Sequence, residues 1–112
     1  KLGQLLLQKG QWKGRQLLPA AWIDEASASH IASLPAGARR ETLKTQPEDS
    51  DWLQGYGYQM WRCRHNAFRA DGANGQFIVV LPEKDAVIVT TAHIGDMQAE
   101  LNMIWEHLLP AL

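Results

Sequence analysis

The sequence predicts an α+β fold in which helices come first, an antiparallel sheet follows, and a helix closes the chain. Three observations carry that expectation. Leu2, Leu5 and Leu6 recur at i, i+3 and i+4 near the start, the spacing of one helical face. The second half changes to β-branched runs, Gln76 to Leu81 and Ala86 to Ala92, split by Pro82-Glu83-Lys84-Asp85. After Asp96 the helical period returns, with Met97, Leu101, Ile104, Trp105 and Leu108 along one stripe. At 112 residues the chain has the size of one domain with one continuous core region.

Residues 1–32 read as the helical part. A helix is expected over residues 2 to 9, with Gly10 as the left-handed residue that follows a helix end. Gln11 to Arg15 is short and rich in glycine, so a tight loop with Trp12 as its aromatic anchor is expected. Pro19 suits the first position of a second helix, whose stripe is Trp22, Ile23 and Ala26, and Leu18 then falls at a cap position without a side-chain acceptor. Residues 33–55 read as a long polar loop, broken by Pro35, Gly37 and Pro47. Glu48, Asp49 and Asp51 are expected to be solvated there. Loops of this length border a functional site or are partly disordered.

Residues 56–112 read as antiparallel strands plus a C-terminal helix. Tyr56 to Trp61 is aromatic-rich and suits a strand, Arg64-His65-Asn66 a turn, and Ala67 to Ala70 the next strand. In the run from Gln76, residues Phe77, Val79 and Leu81 point one way while Ile78 and Val80 point the other, so both sheet faces must be covered. The helix after Asp96 covers one face. The N-terminal helices, or protein beyond this chain, cover the other. Asp96 is a good cap and Pro110 ends the helix.

Composition narrows the function. Eleven basic and twelve acidic side chains give a net charge of −1, which offers no field for a nucleic-acid backbone. No stretch is long and apolar enough to span a bilayer. Cys63 is the single cysteine, which rules out an internal disulfide and suits a buried bystander thiol. It is compatible with either a periplasmic or a cytoplasmic setting. His30, His65, His93 and His107 lack the i, i+4 pairing of metal ligands on a helix, so neither a metal nor any other cofactor is expected. There is no G-x-S-x-G and no P-loop, and Gly72-Ala73-Asn74-Gly75 lacks the third glycine of a dinucleotide fingerprint. By spacing alone those residues are a turn between strands, with Asp71 beside it at a strand end.

Two passages resemble a known family. The first is Leu5-Leu6-Leu7-Gln8-Lys9-Gly10-Gln11-Trp12-Lys13-Gly14-Arg15-Gln16-Leu17-Leu18-Pro19, followed by Trp22-Ile23. The second begins at Gly55-Tyr56-Gly57-Tyr58-Gln59-Met60-Trp61 and continues through Phe68 to Gln76, Val80-Leu81-Pro82 and Asp85 to Val89. In order and spacing they are similar to the C-terminal third of serine hydrolases of the β-lactamase and penicillin-binding-protein-like superfamily, the branch with class C enzymes and esterases. The resemblance implies a partial β-lactamase/DD-peptidase-like fold, with residues 1–112 forming a C-terminal fragment of a larger bacterial hydrolase domain. The absence of an initiator Met at Lys1 points the same way.

In that family a Ser and Lys of an S-x-x-K helix carry out acyl transfer, helped by a Tyr of a Y-x-N segment. Here Ser27, Ser29, Ser33 and Ser50 are not followed by Lys three places on, and neither Tyr56 nor Tyr58 has Asn two places on. The fragment alone is therefore expected to be inactive. Lys44-Thr45-Gln46 lacks the glycine and strand context of the family's third motif and reads as chance. By spacing to Pro82, that motif falls on Ala70-Asp71-Gly72, with Ala in place of the cation that binds a β-lactam carboxylate. This disfavours β-lactam turnover and leaves ester or amide hydrolysis open.

The resemblance implies that the backbone N–H of Ala73 is the second donor of an oxyanion hole, and that Gly72 allows close approach of substrate. Asp71 and Asn74 either line the cleft beside Ala70 or are plain turn residues. Tyr58, Trp61 and Trp12 read as core rather than substrate platform. The implied partners are a small acyl substrate and the N-terminal part of the same enzyme, which in the family pairs with the strand matching Ala86 to Ala92. Without it, that edge is open to a homodimer. The alternative is a non-catalytic binding or assembly module on the same scaffold.

Overall fold

The computed structural model describes residues 1–34 and 44–112. Pro35 and Gly37, assigned above to the long loop, lie outside the described residues. The first helix, α1, spans Leu2–Leu7. It stops short of residue 9 because Lys9 and Gly10 both turn left-handed, at φ 52° and 84°. The Gly10 N–H then donates back to Leu5 O at 2.9 Å, satisfying a carbonyl at the helix end.

Residues 11 to 16 are not a loop but a small hairpin. Strands β1 (Gln11–Trp12) and β2 (Arg15–Gln16) pair antiparallel, with Trp12 opposite Arg15. Lys13 and Gly14, at φ 49° and 77°, form the two-residue turn whose twist matches paired strands. Helix α2 spans Ala20–Ser27 with Pro19 as its N-cap, one residue later than the spacing predicts. Ile23 and Ala26 are buried, whereas Trp22 is 45 % exposed and leaves the expected stripe.

Among its described residues, the polar loop forms a short 3-10 turn at Pro47–Asp49. It then dives inward, for Ser50 and Asp51 are both buried. The expectation of a solvated Asp51 is overturned. The expected strand Tyr56 to Trp61 is also corrected: Tyr56 bridges both Ile31 and Trp61, and Gly57 N–H donates to Met60 O at 2.8 Å as the chain reverses. Tyr58 N–H meanwhile donates to Ala26 O at 2.9 Å. The backbone there packs against the end of α2, while the rings of Tyr56 and Trp61 pack on each other.

The main sheet has the order β3-β4-β5-β6, all antiparallel. Its strands are β3 (Trp61–Arg62), β4 (Phe68–Gly72), β5 (Gln76–Leu81) and β6 (Ala86–Thr91). His65 and Asn66, both at positive φ, make the expected turn into β4. The β5–β6 hairpin closes through a 3-10 turn, Pro82–Lys84, and a left-handed Asp85. Among the described residues β6 has no partner on its outer edge.

The alternation read from β5 sorts the core into two layers. Phe77, Val79 and Leu81 pack with Cys63, Ala67, Leu101, Ile104 and Trp105. Val80 packs on the other face with Leu6, Ile23 and Phe68. Helix α3 (Met97–Met103) covers the first layer, and Asp96 caps it by accepting from Ala99 N–H at 3.0 Å. The helix runs on through a π turn, Ile104–Leu108, and a 3-10 turn, Leu109–Ala111, that includes Pro110. The wider turn shifts the helical phase, and Leu108 ends 40 % exposed rather than in the stripe. Among the described residues no helix is long and apolar enough to cross a membrane.

Helix α1 lies directly on β5 and β6, and Gly3 sets the distance. A Cβ there would stand 2.5 Å from Val87 Cγ1 and 2.7 Å from Ile78 Cγ2. Overpacking of this kind costs about 1–3 kcal/mol, more than the gain in helix propensity of roughly 1 kcal/mol. Gly3→Ala should therefore lower the urea midpoint, and an unchanged or raised midpoint would show that α1 is not seated on the sheet as described.

Candidate functional site

Ala70, Asp71 and Gly72 occupy the last three positions of β4, opposite Ile78, Phe77 and Gln76. Directly paired residues share a sheet face, so Asp71 lies on the α3 side and Ala70 on the α1 side. Ala73 and Asn74 are exposed in the turn that follows. Asn74 and Gly75 are left-handed, at φ 63° and 89°. Among the described residues the N–H of Ala73 has no acceptor.

That turn is fixed from its far side. Ile94 N–H donates to Asn74 O at 3.1 Å, and Ala92 N–H donates to Gly75 O at 3.2 Å. The Thr90 hydroxyl also donates to Gly75 O, at 3.2 Å. The Glu100 carboxylate from α3 packs against Gly75, in space that a side chain at that position would need. The backbone at residues 73 to 75 is thus held by three hydrogen bonds and a glycine contact, none of which uses the amide of Ala73.

Asp71 is anchored rather than free. Its carboxylate accepts from Arg69 Nε at 2.9 Å, and its side chain is 11 % exposed. Burial raises its pKa, and the charge and hydrogen bond of Arg69 offset part of that rise. Arg69 itself is fully buried. Its Nη1 donates to Asp51 O at 2.9 Å and to Cys63 Sγ at 3.2 Å. Its guanidinium carbon lies 4.2 Å from the ring centre of Trp52 and 5.6 Å from that of Trp61, a cation–π arrangement in a desolvated site.

Asp51 is the second half of this interior network. Its carboxylate accepts from Arg64 N–H at 2.8 Å, Arg64 Nη2 at 2.9 Å, Gln98 Nε2 at 2.8 Å and Trp105 Nε1 at 2.8 Å. Burial works to raise its pKa, but the hydrogen bonds from Arg64, Trp105 and Gln98 outweigh it and hold the carboxyl below the usual range. The network ties the polar loop to the β3–β4 turn and to α3. Sequence reasoning missed Arg69. The available signal was its parity, because Arg69 and Asp71 share the inward face with Ala67 on one strand.

Cys63 is buried beside Arg69, and burial pushes its thiol up to about 11 despite that cation. A thiol so placed is a poor nucleophile. In native buffer at pH 8 Cys63 should resist iodoacetamide, and it should alkylate freely in urea. Native labelling at the rate of a free thiol would contradict the packing around it.

A cavity of about 450 Å³ opens beside the network, lined by Trp52, Leu53, Tyr56 and Trp61 with Ile31 and Leu34. None of residues 70 to 74 lines it. Trp61 is thus half-buried at a cavity wall, Trp12 is half-buried in the small hairpin, and Tyr58 is 45 % exposed, donating its hydroxyl to Glu25 at 2.6 Å. The expectation of three core aromatics does not hold. Lys44 to Gln46 are exposed and outside any strand. Among the described residues no three His, Cys, Asp or Glu side chains converge as metal ligands would.

No family model and no curated protein matches the chain. Among solved structures, a protein assigned as a 6-aminohexanoate-dimer hydrolase from Bacillus anthracis superposes with a TM-score of 0.56 at 23 % identity. The match covers 99 % of this chain and 28 % of that one, so the chain spans little more than a quarter of the neighbour's length. The likeness establishes the fold: helices flanking an antiparallel sheet, a partial β-lactamase-like fold.

Proposed function

We propose that this chain is the C-terminal portion of a β-lactamase-like serine hydrolase and contributes the cleft-lining strand of the active site. The observation that carries the reading is the amide of Ala73, a donor without an acceptor among the described residues, at the end of a strand whose fold matches part of a hydrolase. In this reading Ala73 N–H is one of two donors to the oxyanion of an acyl-transfer intermediate. Gly72 admits the substrate closely, and Ala70, Asp71 and Asn74 border it. The nucleophilic Ser and its Lys are supplied by polypeptide outside these 112 residues. That polypeptide also pairs with the outer edge of β6, where Val89 is 62 % exposed and neither Lys nor Pro guards the strand.

With Ala at position 70 there is no fixed cation for a substrate carboxylate, which favours a neutral ester or amide over a β-lactam. The isolated chain should turn over neither a p-nitrophenyl ester nor a chromogenic cephalosporin, and a fluorophosphonate should not label it. The parent reading frame should encode S-x-x-K upstream, and its product should be labelled at that Ser. Serine-dependent turnover by the 112 residues alone would overturn the proposal. A parent frame without S-x-x-K would favour the rival reading of a non-catalytic assembly module. In isolation the β6 edge is open to a second copy, giving a concentration-dependent dimer in sedimentation experiments.

A further inference from the structure

At the opposite end of β4 from the Ala73 turn lies a second cavity, of about 440 Å³. It opens where the chain leaves α1 and α2 and enters β4, and its lining includes Lys9, Asp24, Ser29, Arg62, Asn66 and Phe68. Arg62 is opposite Phe68 in the β3–β4 ladder, so its side chain shares the face that carries Leu6 and Ile23. It is half-buried there.

Among the described residues the hydrogen-bond partners of Arg62 are neutral. Nη1 donates to Ser27 O at 3.2 Å and Nη2 donates to Asn66 Oδ1 at 2.8 Å. A guanidinium offers five N–H donors, so most of the fork is unused by these two side-chain bonds. The ion pairs among the described residues involve Lys9, Arg64 and Arg69, not Arg62. The nearby acids are engaged elsewhere: Asp24 pairs with Lys9, and Glu83 accepts from Asn66 Nδ2 at 2.7 Å. Burial lowers the pKa of Arg62, as expected of a cation taken from water without a carboxylate beside it. A charge withdrawn from water is costly unless an opposite charge meets it.

We propose that this cavity binds a small monocarboxylate, with its two oxygens on the free edge of the Arg62 guanidinium and its short apolar tail over Phe68 and Pro82. Among the residues that line the cavity, Lys9 and Asp24 pair with each other and Arg62 is left as the cation without a carboxylate, which suits a single negative charge. The planar fork matches a carboxylate in a bidentate pair. The site is independent of the oxyanion reading, because it uses none of residues 70 to 74.

The test is a titration of the 112-residue chain with sodium butyrate at constant ionic strength, followed by the Arg62 Nε–Hε resonance and the Ser27 to Ser29 amides. The expected result is saturable binding in the millimolar range, with butanol, butylamine and chloride giving none. Inorganic phosphate should bind at least tenfold more weakly. Arg62→Gln should weaken butyrate at least tenfold, and Arg62→Lys should not restore it, since an ammonium lacks the fork. Non-saturating shifts matched by chloride, phosphate binding as tight as butyrate, or full affinity in Arg62→Gln would each overturn the proposal. Should Arg62→Gln fail to fold, the comparison of butyrate with butanol and butylamine on the unaltered chain decides by itself.

Discussion

Asp51→Ala should lower the unfolding free energy by about 3–5 kcal/mol, the range seen when one member of a buried charged network is removed. The carboxylate is fully buried and accepts from Arg64, Gln98 and Trp105. Its loss takes an acceptor from all three: Arg64 and Gln98 keep Asn102 Oδ1, but the Trp105 indole N–H has no other acceptor among the described residues and pays desolvation with no return. Urea denaturation monitored by tryptophan fluorescence measures the loss directly. A change below about 1 kcal/mol would mean that water satisfies those donors in the native protein.

The pH dependence has a definite sign. The native pKa of Asp51 lies below the ordinary value of 3.8, so its ionised form is favoured by folding. The stabilisation is fully present above the unfolded value and is lost as pH falls through the native one. Acid should therefore erode the stability of the unaltered chain below about pH 4 more steeply than that of Asp51→Asn. Parallel curves would remove Asp51 as the source.

Arg69→Ala should cost a similar amount, again about 3–5 kcal/mol. The substitution strips Asp71 of its cation, leaves Asp51 O without a donor and empties the space beside Trp52 and Phe77. The unpaired Asp71 carboxylate is the part that can be recovered. Arg69→Met combined with Asp71→Asn should therefore be more stable than the two single losses predict, with a coupling above about 1 kcal/mol in a double-mutant cycle. Additive losses would show that Arg69 acts through packing alone. Because Asp71 precedes the Ala73 turn, amide shifts at residues 72 to 75 should accompany the single substitution.

Much of the fold was legible because it rests on local periodicity. The β5–β6 hairpin, the two-faced character of β5 and the Asp96 cap all follow from patterns within a few residues, and the burial of Cys63 from its being a lone cysteine. The failures have physical causes of another kind. Asp51 looked solvated because its surroundings in sequence are polar, but its partners Gln98 and Trp105 are 47 and 54 residues away. Tyr56 to Trp61 looked like a strand because aromatic residues favour strands, while a close approach to α2 bends the segment back. Trp22 has helical spacing yet faces outward, since spacing places residues on a stripe without saying which stripe is covered. The small hairpin at residues 11 to 16 was overlooked because two residues per strand carry no alternation. For the candidate site, the position of residues 70 to 75 at a strand end was readable, and the buried Arg69 behind them was not.

The two layers of the core are unequal, and this divides the molecule in time as well as in space. Beneath α3 the buried cluster has eight members, whereas the layer under α1 and α2 rests on Leu6, Ile23, Phe68 and Val80. Amide hydrogen exchange should therefore resolve two classes of opening: the N-terminal segment detaching while the sheet and α3 persist, and a rarer global event that alone releases the amides of β4 and β5. The protein would then breathe from one side, and the butyrate cavity, which borrows residues from both parts, would close that seam when filled.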